Sequence, residues 1–218
     1  MNSSANDREL HRLVLPSFAA PDSSGPFIVA LEGPNGAGKT TLSRALPFPH
    51  CMGTDDAWFT EPFRVRMIRE AEWFASAMFF LSGCLEQMRV LRSRQDKLVV
   101  MDRSLWSTLA VHGAYSPERL ERLLAMLRPV AAQIRVPHLT FVLGASFKTC
   151  QSRIAKKAGT ARALDELTAN AAFHAREHEF YRWLSRQRSE VRFLDVDQAP
   201  PEAVALQARN LIRQYAPC

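Results

Sequence analysis

Phe27-Ile28-Val29-Ala30-Leu31 is a short, continuous apolar run that passes through Glu32 straight into Gly33-Pro34-Asn35-Gly36-Ala37-Gly38-Lys39-Thr40. The run has the length and composition of a strand buried on both faces, and a helical pattern opens near Lys39. A buried strand, a turn spaced G-x-x-x-x-G-K-[ST] and a helix, in that order, restrict the chain to few folds and to an anionic ligand. Glycines let successive backbone N–H groups curl around phosphate oxygens without a Cβ in the way. The helix that follows points its positive end at the same anion. Lys39 is the residue that reaches β- and γ-phosphates, and the Thr40 hydroxyl is a ligand for Mg²⁺. The expected binding set is Gly33, Asn35, Gly36, Ala37, Gly38, Lys39, Thr40 and Thr41, with ATP or GTP and Mg²⁺ as the ligands.

The rest of the chain reads as strands alternating with helices. Apolar residues at Phe74, Ala77, Met78, Leu81, Leu85, Met88 and Leu91 recur at helical spacing and predict a long helix. Leu98 to Met101, ending at Asp102, reads as a second buried strand, Leu139 to Leu143 as a third and Val191 to Asp195 as the last. Helices are expected at Glu118–Leu127, from about Asp165 to Ser185, and at Glu202–Tyr215, with a weak strand near Cys51–Thr54. This alternation predicts an α/β fold, a parallel sheet with helices on both faces, and the glycine turn after its first strand makes the expected class a P-loop NTPase fold. Residues 1–25 read as an N-terminal arm or loop with a short helical turn at Arg8–Leu15, and residues 26–218 as one domain.

Composition narrows the partners. The 218 residues carry 28 Lys and Arg against 22 Asp and Glu, a net charge of +6, which suits an anionic partner, either phosphorylated small molecules or nucleic acid. The four cysteines, Cys51, Cys84, Cys150 and Cys218, are scattered without a C-x-x-C pair. Zinc and a disulfide framework are disfavoured, and reduced thiols in a cytoplasmic protein are expected. Met1 to Pro26 has no apolar signal core, and Trp73–Leu85 is too short to span a bilayer, so no membrane is expected.

Asp102-Arg103-Ser104 stands at the C-terminal end of a strand, the edge where open parallel sheets bind ligands. Asp102 is placed to orient Mg²⁺ beside Thr40, and the planar fork of Arg103 suits phosphate oxygens. The plainer account is a helix cap by Asp102 beside a surface arginine.

Glu32 through Thr41, with Asp102-Arg103-Ser104-x-x-Ser107-x-x-Ala110, resembles the thymidylate kinase family and the related deoxynucleoside kinases, whose corner reads Glu-Arg-Ser. The resemblance runs from about Ile28 to Ile212. It implies a five-stranded parallel sheet, transfer of the ATP γ-phosphate to a nucleotide or nucleoside, and a mobile basic lid at about 153–165. Arg153, Lys156, Lys157 and Arg162 occupy that stretch, and cations on a closing segment stabilise a transferring phosphoryl group. The resemblance also places the loop at Asp195-Val196-Asp197 near the adenine. Thymidylate kinases are often dimers, so a homodimer is an expectation of the resemblance that no single residue carries.

On the acceptor side, Glu61-Pro62 matches a Glu-Pro pair that the resemblance assigns as the base for an acceptor hydroxyl. Asp55-Asp56 resembles the Asp-Asp-aromatic sequence of uridine kinases, where an Asp is the base. Four positions depart from the thymidylate kinase pattern: Asn35 replaces an acid, Thr60 an arginine, and Phe79-Phe80 an Asp-Arg pair whose arginine contacts thymine. A hydroxyl acceptor needs a base and a phosphate acceptor does not, so Asp55, Asp56 and Glu61 lean slightly toward a hydroxyl. Trp73, Phe74, Phe79 and Phe80 are either core or a stacking surface for a flat base. His174 and His178, spaced i, i+4 without a third ligand, read as a polar helix face. The expected catalytic residues are therefore Lys39, Asp102, Arg103, Glu61, Asp55 and Arg153, with Thr40 and Asp102 holding the metal. Three other readings stay open: a kinase for a modified or non-nucleoside metabolite, a kinase for a group on a polynucleotide, and an ATP-hydrolysing switch or binding protein.

Overall fold

The structure is a computed structural model, and it describes residues 9–21, 25–52, 61–157 and 170–216. Five strands form one parallel sheet: β1 (Phe27–Glu32), β2 (His50–Met52), β3 (Leu98–Asp102), β4 (Leu139–Gly144) and β5 (Val191–Asp195). Their spatial order is β2-β3-β1-β4-β5. β1 is thus central, and the strand order reverses there, which opens a crevice at its C-terminal end. The register pairs Leu31 with Asp102 and Glu32 with Val142, so the loops after β1, β3 and β4 leave the sheet at one edge.

The described helices are α1 (Lys39–Ala45), α2 (Glu61–Arg69), α3 (Trp73–Arg92), α4 (Leu105–Tyr115), α5 (Pro117–Leu127), α6 (Phe147–Ala155), α7 (Ala171–Gln187) and α8 (Pro201–Tyr215), with a 3₁₀ turn at Arg128–Gln133. Strand alternation sorts them onto two faces. Phe27, Val29 and Leu31 pack with Leu42 and Leu46 of α1 and with Val204, Ala208 and Ile212 of α8. Ile28 and Ala30 pack on the other face with Met88 and Leu91 of α3. The largest cluster lies on that side, where Leu81, Trp106, Leu120, Phe180 and Trp183 join α3, α4, α5 and α7. Each fully buried leucine there contributes about 1.5–3 kcal/mol relative to exposure.

Several expectations move by a few residues. The weak strand is His50–Met52, and α7 starts at Ala171 because the extended Asn170 caps it, its side chain accepting from the Phe173 amide at 2.8 Å. The stretch before it, from 158 to 169, lies outside the described residues. Helices α2 and α6 have no counterpart in the sequence reading, and α4 enters it only as the helix that a cap by Asp102 would imply. The arm is docked: Leu10 and Phe18 are buried in the largest cluster, and Ala19 donates to the Ile134 carbonyl at 2.9 Å.

Candidate active site

The turn after β1 is built from three residues in the left-handed region, Gly33, Gly36 and Gly38, at φ of 121°, 83° and 106°. A Cβ at Gly33 would lie 2.7 Å from the Leu143 carbonyl oxygen, and one at Gly36 would lie 2.6 Å from that of Cys150. Only glycine fits either position, so the cradle is pressed against β4 and α6. Lys39 folds back over the turn, its Nζ donating to the carbonyls of Gly33 at 2.7 Å and Pro34 at 2.9 Å. Burial, followed by the Arg103 charge, pushes the Lys39 ammonium down to about 8. Thr40 Oγ1 donates to Asp102 Oδ2 at 2.9 Å, which brings the two sequence-predicted metal residues together. A hydroxyl and a carboxylate at the foot of a phosphate cradle are hard oxygen donors of the kind Mg²⁺ takes when phosphates complete its shell, so these residues fit the ion.

Arg103 is the one non-glycine residue in the left-handed region among the described residues, at φ 74°. Its amide donates to the Leu31 carbonyl at 3.0 Å, and this turn aims the side chain back across the sheet edge. The guanidinium donates to Asn35 of the cradle and to Ser107 Oγ at 3.2 Å. Asn35, where an acid was the family expectation, therefore ties the phosphate turn to the corner. Asp102 caps no helix. Ser104 caps α4 instead, accepting from the Trp106 amide at 3.3 Å. Arg153 stands on α6 with its guanidinium donating to the carbonyls of Ala37 at 2.9 Å and Val196 at 3.1 Å, a brace between the cradle and the loop after β5. Lys156 and Lys157 follow α6, while Arg162 and Asp55 lie outside the described residues. Glu61 opens α2, and its side chain is likewise outside them.

Glu32 was not singled out from sequence, although it directly precedes the cradle. It is fully buried and takes four donors: the Ser104 amide at 2.7 Å, Ser104 Oγ at 2.6 Å, Ser107 Oγ, and Tyr181 Oη at 3.0 Å. This carboxylate bolts β1 to the start of α4 and to α7, and so holds the Asp102-Arg103-Ser104 corner beside the phosphate turn. Burial raises its carboxyl above the ordinary range, against those hydrogen bonds.

A cavity of about 440 Å³ opens from this corner. Asn35, Asp102 and Arg103 form its phosphate end, and Trp73, Phe80 and Phe173 give it aromatic walls. Of the four aromatics in question on α3, Trp73 and Phe80 thus face the cavity, Phe74 is exposed, and Phe79 packs edge-on against Phe63 and Phe80. His112 lies in the wall with a buried Nδ1 that has no partner among the described residues. Burial, then Arg119, pushes it down to about 4, so it is neutral at pH 7. Arg119 stacks over the rings of Trp73 at 5.4 Å and Tyr115 at 5.2 Å. Outside the cavity, Nε2 of both His174 and His178 approaches the Ala145 carbonyl, at 3.0 and 3.1 Å. Both nitrogens therefore carry a proton, and among the described residues no cluster of three or more His, Cys, Asp or Glu could hold a metal.

Residues 28–188 match the family model described as the AAA domain, well over half of the chain. This chain belongs to the AAA domain family. No curated protein sequence matches it significantly. Its fold is similar to that of thymidylate kinase from Candida albicans, with a TM-score of 0.66 and 17% identity over 88% of this chain and 93% of that one. It is also similar to deoxyadenosine kinase from M. mycoides with bound dATP, at a TM-score of 0.64 and 16% identity over 85% of this chain and 98% of that one. The same kinase with the products dCMP and dCDP gives 0.63 and 17% over 86% and 98%. At such identities the likeness is one of fold: this AAA domain protein has the five-stranded parallel P-loop architecture of nucleotide and nucleoside kinases. Among its described residues no helix is long and apolar enough to cross a membrane.

Proposed function

We propose that this protein transfers the γ-phosphate of ATP, with Mg²⁺, to a nucleotide, a nucleoside or a molecule resembling one. The observation that carries the reading is Arg103, which a left-handed turn directs between the phosphate cradle and a cavity of about 440 Å³. A hydrolytic switch needs no second chamber beside its phosphate site, whereas a transferase needs one for the acceptor. The cavity has the size of a single small molecule, which favours such an acceptor over a polynucleotide strand.

The assigned roles follow from position. The amides of 33–40 and Lys39 hold the donor phosphates, and Lys39 exchanges the Gly33 and Pro34 carbonyls for phosphate oxygens. Thr40 and Asp102 hold Mg²⁺, which when bound neutralises charge on the phosphates. Arg103 stabilises the charge on the transferring phosphoryl oxygens, and Arg153 fixes the cradle that binds the donor. Asp55 and Glu61 are the sequence's offer of a base if the acceptor is a hydroxyl. A cytoplasmic location and a homodimer belong to the same reading.

The test is a product screen by ³¹P NMR or mass spectrometry. The full chain is given ATP and Mg²⁺ with nucleosides, nucleoside monophosphates and hydroxylated metabolites. A new phosphate ester or diphosphate is expected, lost in Lys39→Ala and Arg103→Ala while both variants stay folded. ATP turnover that no acceptor alters would show a hydrolase instead. Phe80 in the wall, where thymidylate kinases carry arginine, is the reason to include acceptors other than thymidine nucleotides.

A further inference from the structure

Two carboxylates among the described residues line the acceptor cavity, Asp102 and Glu177. Asp102 is engaged with Thr40. Glu32 stands close by but is consumed by its four donors and does not reach the wall. Glu177 differs from both. It sits mid-way along α7, one turn before the Tyr181 that donates to Glu32, so the rigid face of α7 that clamps β1 also fixes Glu177. It is only 4% exposed, yet among the described residues it accepts no hydrogen bond and forms no ion pair. A carboxylate held this deep without a protein donor opens onto the cavity, and that is the side from which a ligand would complete it.

We propose that Glu177 is the general base for an acceptor hydroxyl, so that the cavity phosphorylates an alcohol, such as a nucleoside hydroxyl, rather than a nucleoside monophosphate. This rests on the phosphoryl-transfer reading above and gives Glu177 the role that sequence offered to Asp55 or Glu61. In the step, the acceptor oxygen forms a bond to the γ-phosphorus of ATP and its proton passes to the Glu177 carboxylate. The bond from the γ-phosphorus to the β–γ bridging oxygen breaks, and ADP leaves with that electron pair. The proton on Glu177 is later released to solvent. The charges facing Glu177 come from three elements: Lys39 of α1, Arg103 after β3, and Glu32 of β1. His174 and Cys150 border the small cleft behind it. Burial raises the carboxyl above its ordinary range, against the pull of Lys39 and Arg103, which is the direction that favours proton uptake by a base. A phosphate acceptor arrives as an anion, needs no base, and would meet a carboxylate held out of water.

The experiment compares the full-length protein with Glu177→Gln and Glu177→Asp on the acceptor panel, reading product identity, kcat and KM separately, and the pH profile of kcat. Binding of ATP and thermal unfolding of each variant report whether the fold survives. A phosphate monoester product is expected from the unaltered chain. Glu177→Gln is expected to lower kcat by about 10²–10⁴-fold with acceptor KM within a few-fold, and to lose the acidic limb of the profile. Glu177→Asp, the variant to rely on if the amide does not fold, is expected to keep part of the rate with that limb displaced. Three results overturn the proposal while leaving phosphoryl transfer standing: a diphosphate product that Glu177→Gln still makes, a kcat within about threefold of the parent on an alcohol, or a loss that falls on Glu61→Gln or Asp55→Asn instead. Failure of the parent chain to phosphorylate any acceptor while binding ATP overturns the reading of function itself, and the role of Glu177 with it.

Discussion

Arg103 carries the sharpest conflict between local preference and function. Its φ of 74° costs an L residue of order 1 kcal/mol, and it also takes a guanidinium partly out of water. The strain persists because the amide bond to Leu31 and the side-chain bonds to Asn35 and Ser107 over-determine the turn. Truncation tests this directly. Arg103→Ala and Arg103→Gly should both lose phosphoryl transfer, by about 10³-fold or more if the arginine stabilises the transition-state charge. The glycine variant should be the more stable of the two by about 1 kcal/mol in urea unfolding, the reverse of the usual order. Equal stabilities would mean that the turn relaxes when the side chain is removed. The motif Asp102-Arg103-Ser104 was legible as a functional corner, but the partners that hold it were not. Glu32 and Tyr181 are separated by 149 residues, and no local pattern announces a bond between them.

At the scale of elements, α4 is the informative helix. Leu105, Trp106, Ser107, Thr108, Leu109, Ala110, His112, Gly113 and Ala114 are all buried, so α4 has no polar stripe and no 3.6-residue alternation for a sequence reading to find. Its neighbour α5 shows the opposite case. Leu120, Leu123, Leu124 and Leu127 form one buried stripe, Ser116 caps it and Pro117 opens it, and the sequence reading placed that helix within a residue. The N-terminal arm belongs to the same packing. Phe18 meets the Trp106 ring edge-on at 5.4 Å, and Trp106 lies between Ser104 and Ser107, the two serines that hold Glu32. Phe18→Ala should therefore destabilise the fold by about 3 kcal/mol through the cavity it leaves, measured as a lower urea midpoint at unchanged slope. A change below about 0.5 kcal/mol would show that the arm contributes nothing to the core.

At the scale of the whole molecule, the acceptor cavity sets a pH dependence of stability. His112 is pushed down to about 4 in the fold, from 6.5 in the unfolded chain. Between those values the unfolded state binds more protons, so stability rises with pH through the window and is lost as pH falls from about 6.5 to about 4. The full effect is on the order of 3 kcal/mol, and His112→Asn should remove it, leaving a flatter urea-stability curve between pH 6.5 and 4 than the parent chain. Parallel curves would place His112 in a wetter setting than the cavity wall. The buried strands, the amphipathic stripes of the long helices and the phosphate cradle were determined by the sequence alone. Continuous apolar runs, a glycine spacing and amphipathic stripes are local signals, and the chain must satisfy them wherever it folds. What the tertiary structure decided is the acceptor side. Glu177, His112 and Arg119 stand on helices whose sequence reads as a polar face or as core, and they become one wall only when α4, α5 and α7 are packed together. A cavity is the space that packing leaves between elements distant in sequence, and its chemistry appears only when those elements meet.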